Sequence, residues 1–173
     1  VKTTAVVGFP HGYNTTATKV FEAEQAIKDG AVELDMVLNI GRLLSGDYEY
    51  VRNDIRAVVE AAHRQHVLVK VILENHYLTD EQKKAACRLC EKAGADFVKT
   101  STGFAAGGAT LEDLRLMRKH VSPRVQVKAA GGIRDLETAL QVRQAGCTRF
   151  GATQTETIME ECYRQRGAKT EVR

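Results

Sequence analysis

Two hydrophobic rhythms alternate along this chain. Short runs that are apolar, or that alternate apolar with polar, recur at Thr3–Phe9 (TTAVVGF), Val32–Leu38 (VELDMVL) and Val67–Glu74 (VLVKVILE). They return at Asp96–Ser101 (DFVKTS), Val125–Ala130 (VQVKAA) and Thr148–Ala152 (TRFGA). Each is bounded by glycine, proline or a polar turn, which is the pattern of a strand. Between them, apolar residues come back every three or four positions, which predicts helices. The first is expected from Thr15 or Thr16 to about Lys28, with Val20, Phe21, Ala23, Ala26 and Ile27 as its apolar positions. The second runs from Asp47 to about Gln65, and the third ends at Gly94. Thr79-Asp80-Glu81-Gln82 opens that third helix as a capping box, in which hydroxyl and amide each satisfy the other residue's backbone N–H. Later helices are expected from Thr110 to about His120, from an Asp135 cap to Gly146, and from Thr155 to about Gln165, with a frayed tail from Gly167.

In Val32–Leu38 the alternation is strict. Val32, Leu34, Met36 and Leu38 face one way, and Glu33, Asp35 and Val37 the other. A strand with a largely polar inner row and an apolar outer row suits a barrel whose outside packs on helices and whose inside holds a site. Six strands alternate with six helices and nothing reads as a hairpin, so the chain is parallel α/β, with a barrel preferred over a doubly wound sheet. DGAVELD, AGADFVK and AGCTRFG repeat one helix-to-strand grammar. The strand lysines Lys70, Lys99 and Lys128 stand 29 residues apart, about one β/α unit. A complete (β/α)8 barrel of TIM type typically takes ~250 residues, so six of the eight units are expected here.

Composition narrows the function classes. A chain of 173 residues, 43% apolar and 27% charged, is expected to be one domain with a real core. The net charge of +3 comes without clustered basic residues and interleaved aromatics, so nothing points to nucleic acid. No apolar run approaches the ~20 residues of a membrane helix. Four cysteines without scaffold spacing, and no signal peptide, predict a reducing, cytoplasmic setting.

The chemistry concentrates in three strands. A lysine inside an apolar strand is costly to bury unless it is paired or reactive. Lys99 sits just before the carboxyl end of its strand, where α/β folds place their sites. In a parallel barrel Asp35, Lys99 and Lys128 project inward toward the same end. A neutral lysine amine can attack an aldehyde or ketone and form a Schiff base. A second cation, Lys128, would favour that neutral amine, and Asp35 could move protons. The bland alternative is a buried ion network in which Asp35 and Glu74 satisfy the lysines for structure alone. Gly103, Gly131, Gly132 and Gly151 follow late strands, where loop N–H groups bind phosphate in barrels; Thr153 could add a hydroxyl and Arg134 a charge. The alternative there is that the glycines only permit tight turns.

Other motifs carry less. Cys87 and Cys90 form C-x-x-C inside a helix with no second ligand pair, so packing is favoured over zinc. His63 and His66 read as solvated, and His11 in FPHG lies at a site-facing strand end, where shaping its loop is at least as good a reading as a role in the site. Asn14-Thr15-Thr16 is a glycosylation sequon in form only. Gly103 to Gly108 matches neither a phosphate-binding Walker loop nor a dinucleotide fingerprint.

Taken together, VVGFPHG, FEAEQAIKDGAVELDMVLNIG, VKVILE, ADFVKTSTGF, GGAT, KAAGGIR and FGAT resemble the deoxyribose-phosphate aldolases, in order and over nearly the whole chain. The resemblance implies a class I, cofactor-free and metal-free aldolase on a (β/α)8 barrel. It would reversibly cleave 2-deoxy-D-ribose 5-phosphate, a step of deoxyribonucleotide breakdown, to acetaldehyde and D-glyceraldehyde 3-phosphate. By motif position Lys99 corresponds to the Schiff-base lysine, Lys128 to the lysine that tunes it and Asp35 to the proton relay. Thr102 falls at a substrate contact, and Gly103, Gly131, Gly132, Gly151 and Thr153 on phosphate-binding loops. Family members begin with two further strands, the first bearing an acidic site residue; neither is in this sequence. Gln154 replaces a frequent serine, and the TEVR tail lacks a tyrosine found in some members. Open sheet edges would recruit a partner, a homo-oligomer among the outcomes. The alternatives are a Schiff-base lyase for another aldehyde, and a non-catalytic sugar-phosphate-binding or assembly-dependent barrel fragment.

Overall fold

A computed structural model describes residues 2–170. Six strands, β1 (Thr4–Val7), β2 (Glu33–Val37), β3 (Leu68–Ile72), β4 (Phe97–Lys99), β5 (Gln126–Ala130) and β6 (Arg149–Gly151), pair strictly in chain order. Every pairing is parallel. A doubly wound sheet reverses its strand order at a switch point, whereas a barrel never does. The fold is therefore α/β of TIM-barrel type, with six units present. Among the described residues the sheet ends on β1 and β6, and no ladder joins them.

Among the described residues seven helices accompany the strands: α1 (Thr16–Lys28), α2 (Ile40–Leu44), α3 (Tyr48–His63), α4 (Asp80–Ala93), α5 (Leu111–Lys119), α6 (Leu136–Gln144) and α7 (Thr155–Thr170). The expected caps form. Thr15, Asp47, Thr110 and Asp135 accept from backbone N–H groups of their first turns, and Thr79 with Gln82 closes the full capping box. Two short elements depart from the sequence reading. Asn39 caps the five-residue α2, and a single 3-10 turn spans Asn75–Tyr77. Neither is long enough to show a periodicity. α7 runs beyond the expected Gln165 to Thr170, and the rest of the predicted frayed tail, 171–173, lies outside the described residues.

The outer row of the sheet, Leu34, Met36, Val69, Val71, Val98, Val127 and Ala129, is fully buried beneath the helices. Cys87 and Cys90 on α4 join that core, and burial pushes the Cys87 thiol up to about 12. Both therefore pack, as their place in a helix predicted.

The α1 face differs from expectation. Phe21 is 67% exposed, whereas Lys19 and Ala23 are fully buried. Lys19 Nζ donates to Asp54 Oδ2 of α3 at 2.6 Å and to the Val37 carbonyl at 3.0 Å, while the Thr16 hydroxyl donates to Asp54 Oδ1. One buried ion pair thus ties α1, α3 and the end of β2 together. Lys19→Met leaves Asp54 charged and unpaired in the core and is expected to cost roughly 3–5 kcal/mol. Chemical denaturation of the variant measures this, and a loss below ~1 kcal/mol would show that water or another group replaces the ammonium.

Candidate active site

The inner row of the sheet is ionic where the outer row is apolar. β2 contributes Glu33 and Asp35, β3 Lys70, β4 Lys99 and β5 Lys128. Asp35 lies opposite Lys70 in the β2–β3 ladder, while Lys99 and Lys128 lie opposite each other in the β4–β5 ladder. Curvature brings all three amines to one carboxylate. Asp35 Oδ1 accepts from Lys70 at 2.8 Å, and Oδ2 accepts from Lys99 at 2.7 Å and Lys128 at 2.9 Å. The structure therefore assembles Asp35, Lys99 and Lys128 as the sequence predicted, and adds Lys70. Glu33 extends the network, taking Lys70 at 2.7 Å and Arg149 of β6 at 2.5 Å. The Arg149 guanidinium in turn lies 4.9 Å from the ring centre of Phe97.

Burial and charge compete here. Burial pushes the Asp35 carboxyl up, but Lys99, Lys70 and Lys128 outweigh it and hold it down at about 2. Glu33 is held at about 2 in the same way, against its burial, by Arg149 and Lys70. Burial lowers the Lys128 pKa, the Lys99 and Lys70 charges lower it further, and Asp35 opposes them. Two ammonium groups on one carboxylate oxygen repel each other, and buried Lys128 gives up its proton more readily than an isolated lysine. Such a cluster can present a neutral amine, and hold the displaced proton, within 3 Å of one carboxylate oxygen.

The strand ends above the cluster are locked together. The fully buried Thr100 donates its hydroxyl to the Ala130 carbonyl and accepts from the Ala130 N–H, clamping β4 to β5 just past the two lysines. Glu74 does not satisfy the lysines, contrary to the structural alternative. Its Oε2 instead accepts from the Thr102 backbone N–H and from the Thr102 hydroxyl. Nor is His63 merely solvated, since its Nε2 lies 2.8 Å from Asp96 Oδ2. That oxygen also accepts from the Val69 N–H at 2.8 Å.

The candidate phosphate residues converge. Gly103, Gly131, Gly132, Gly151 and Thr153 line one cavity of about 370 Å³, together with Arg134. Gly131 is required there: its φ is +83°, and an added Cβ would meet Gly108 Cα at 3.0 Å. The Ala109 N–H bonds the Ala130 carbonyl at 3.0 Å, holding the two loops at this distance. Thr102 lies apart from that group, in a cavity of about 300 Å³ with His11, Glu74 and Phe104.

Glu33, Arg149 and Lys70 complete the polar network, and Glu74 holds Thr102 beside it, without having been assigned these roles from sequence. The alternation in Val32–Leu38 had placed Glu33 beside Asp35, and the 29-residue spacing had placed Lys70 in line with the other lysines. Nothing local marked Arg149.

Fold and site define a class: a parallel barrel-type α/β protein with a lysine-centred polar cluster at the carboxyl ends of its strands. Comparison with known proteins narrows it. The family model described as DeoC/LacD family aldolase matches residues 2–155. A deoxyribose-phosphate aldolase of Thermococcus kodakarensis is 58% identical over 160 residues, covering 92% of this chain and 71% of that protein. The solved structure of QR15, an aldolase, superposes with a TM-score of 0.90 at 44% identity, over 96% of this chain and 74% of that one. The tetrameric deoxyribose phosphate aldolase of Aeropyrum pernix gives 0.85 at 32% identity, over 94% and 68%. This chain belongs to the DeoC/LacD aldolase family.

Proposed function

We propose that this protein is a class I deoxyribose-phosphate aldolase, cleaving 2-deoxy-D-ribose 5-phosphate reversibly to acetaldehyde and D-glyceraldehyde 3-phosphate. The observation that carries the reading is the sharing of Asp35 Oδ2 by Lys99 and Lys128. Lys99 Nζ attacks C1 of the open-chain sugar and, with loss of water, forms a protonated imine. The C3 hydroxyl gives up its proton, the C2–C3 bond breaks, and its electron pair flows into the imine to leave an enamine. Asp35 and Lys128 relay that proton and return one to C2, and water then releases acetaldehyde. Gly103, Gly131, Gly132, Gly151 and Thr153 hold the phosphate through N–H and O–H donors, with Arg134 supplying charge.

Family membership, and relatives named for this reaction at more than half identity, support the same reading. In it the six units belong to a single barrel domain whose remaining two strands lie between β6 and β1. Self-association fits the tetrameric relative, and four free cysteines fit a reducing cytoplasm. Among the described residues no helix is long and apolar enough to cross a membrane.

Borohydride reduction in the presence of acetaldehyde tests the reading. The expected product is a two-carbon adduct on Lys99, located by intact mass and peptide mapping. A folded sample that forms no adduct, or forms it on another lysine, would overturn the assignment.

A further inference from the structure

Glu74 sits one strand away from Lys99 in a backbone conformation that costs energy. Its φ of 53° and ψ of 66° are left-handed, uncommon outside glycine and characteristic of functional positions. The flanking residues hold it there: the Leu73 N–H bonds the Lys99 carbonyl at 2.9 Å and the Asn75 N–H bonds the Thr100 carbonyl at 3.0 Å. Glycine would adopt this turn at lower cost, so the side chain must account for the residue. That side chain is 2% exposed. Its Oε2 accepts from both the N–H and the hydroxyl of Thr102, while Oε1 has no hydrogen-bond partner among the described residues.

A threonine hydroxyl has one hydrogen and two lone pairs. Here the hydrogen goes to Glu74, and one lone pair receives the Phe104 N–H at 3.0 Å. One lone pair is left beside the cavity shared with His11 and Tyr77. A phosphate dianion offers only acceptors, so a hydroxyl committed in this way cannot serve it. A sugar hydroxyl, which donates, fits.

We propose that Glu74 is a positioning residue that fixes the Thr102 hydroxyl as a hydrogen-bond acceptor, so that Thr102 selects aldehydes bearing a hydroxyl rather than binding phosphate. The inference rests on the aldolase reading above. In the condensation direction it concerns the hydroxyl next to the carbonyl of D-glyceraldehyde 3-phosphate, which the carbonyl chemistry and the phosphate loops leave unassigned.

The test compares kcat/KM for D-glyceraldehyde 3-phosphate and for 3-phosphooxypropanal, which lacks that hydroxyl, with acetaldehyde as donor. Glu74→Leu removes the acceptor and frees the Thr102 hydroxyl hydrogen to turn outward, whereas Glu74→Gln can place its amide oxygen where Oε2 lies and keep both Thr102 bonds. The preference for the hydroxylated acceptor is expected to fall on the order of tenfold in Glu74→Leu and in Thr102→Val, with no further fall in the double variant, and to survive in Glu74→Gln. Equal losses on both acceptors, or additive losses in the double variant, would overturn the proposal; Thr102→Val against Glu74→Gln decides it should Glu74→Leu not fold. Acetaldehyde trapping on Lys99 separates the two levels. An adduct with an unchanged preference overturns only the role of Glu74, whereas no adduct in the parent protein overturns the aldolase reading and this inference with it.

Discussion

Lys99→Arg is expected to abolish carbon–carbon cleavage while leaving the fold in place. Arginine keeps a cation beside Asp35, so the cluster retains its charge balance. A guanidinium cannot be neutralised in a protein, however, and so cannot attack a carbonyl. Loss of a covalent nucleophile should reduce kcat by at least roughly 10⁴-fold. Retro-aldol assays on 2-deoxy-D-ribose 5-phosphate measure it, with circular dichroism confirming the fold. Substantial turnover by the variant would mean that Lys128, the other partly accessible amine, carries the chemistry instead.

Asp35→Asn should do the opposite kind of damage. The carboxylate is the one group that three lysines share, and it is almost fully buried. Removing its charge leaves ammonium groups facing each other in the interior, with an expected cost of roughly 3–5 kcal/mol. For a chain of this length that is a fall in Tm of about 10 °C. The parent protein should show a related acid sensitivity. Asp35 and Glu33 are both held at about 2, below their ordinary values of 3.8 and 4.5. Folding therefore favours their ionised forms. The stability they contribute is complete above about pH 4.5 and drains away as the pH falls toward 2. Urea titrations at pH 7 and pH 3 measure both effects. The variant should lose less between the two than the parent does, and an equal loss would place the acid-sensitive groups elsewhere.

Much of this architecture was legible in the chain. Short apolar or alternating runs located all six strands, and Thr79, Thr110 and Asp135 announced their helices because capping is a local interaction. The lysine cluster could be read because strand alternation and a 29-residue repeat place side chains without any knowledge of distant contacts. What escaped is long-range or short-lived. Lys19 and Asp54 are 35 positions apart, and no local pattern says that a charged residue rather than Phe21 turns inward. Arg149 reaches Glu33 across the inside of the curved sheet. The left-handed turn at Glu74 follows a strand that looks ordinary, and α2 is too brief to display a period.

The division of the sheet into an ionic inner row and an apolar outer row also bears on how the chain reaches its native state. A strand that paired one residue out of step would turn every side chain to the opposite face. Lys99 would then lie among Val71, Val127 and the helices, and Val98 would stand where an amine is needed. Such a misfold pays for a desolvated charge, whereas a slip in an all-apolar barrel would cost only packing. The same residues assigned to bond cleavage thus guard the assembly of the sheet against register errors.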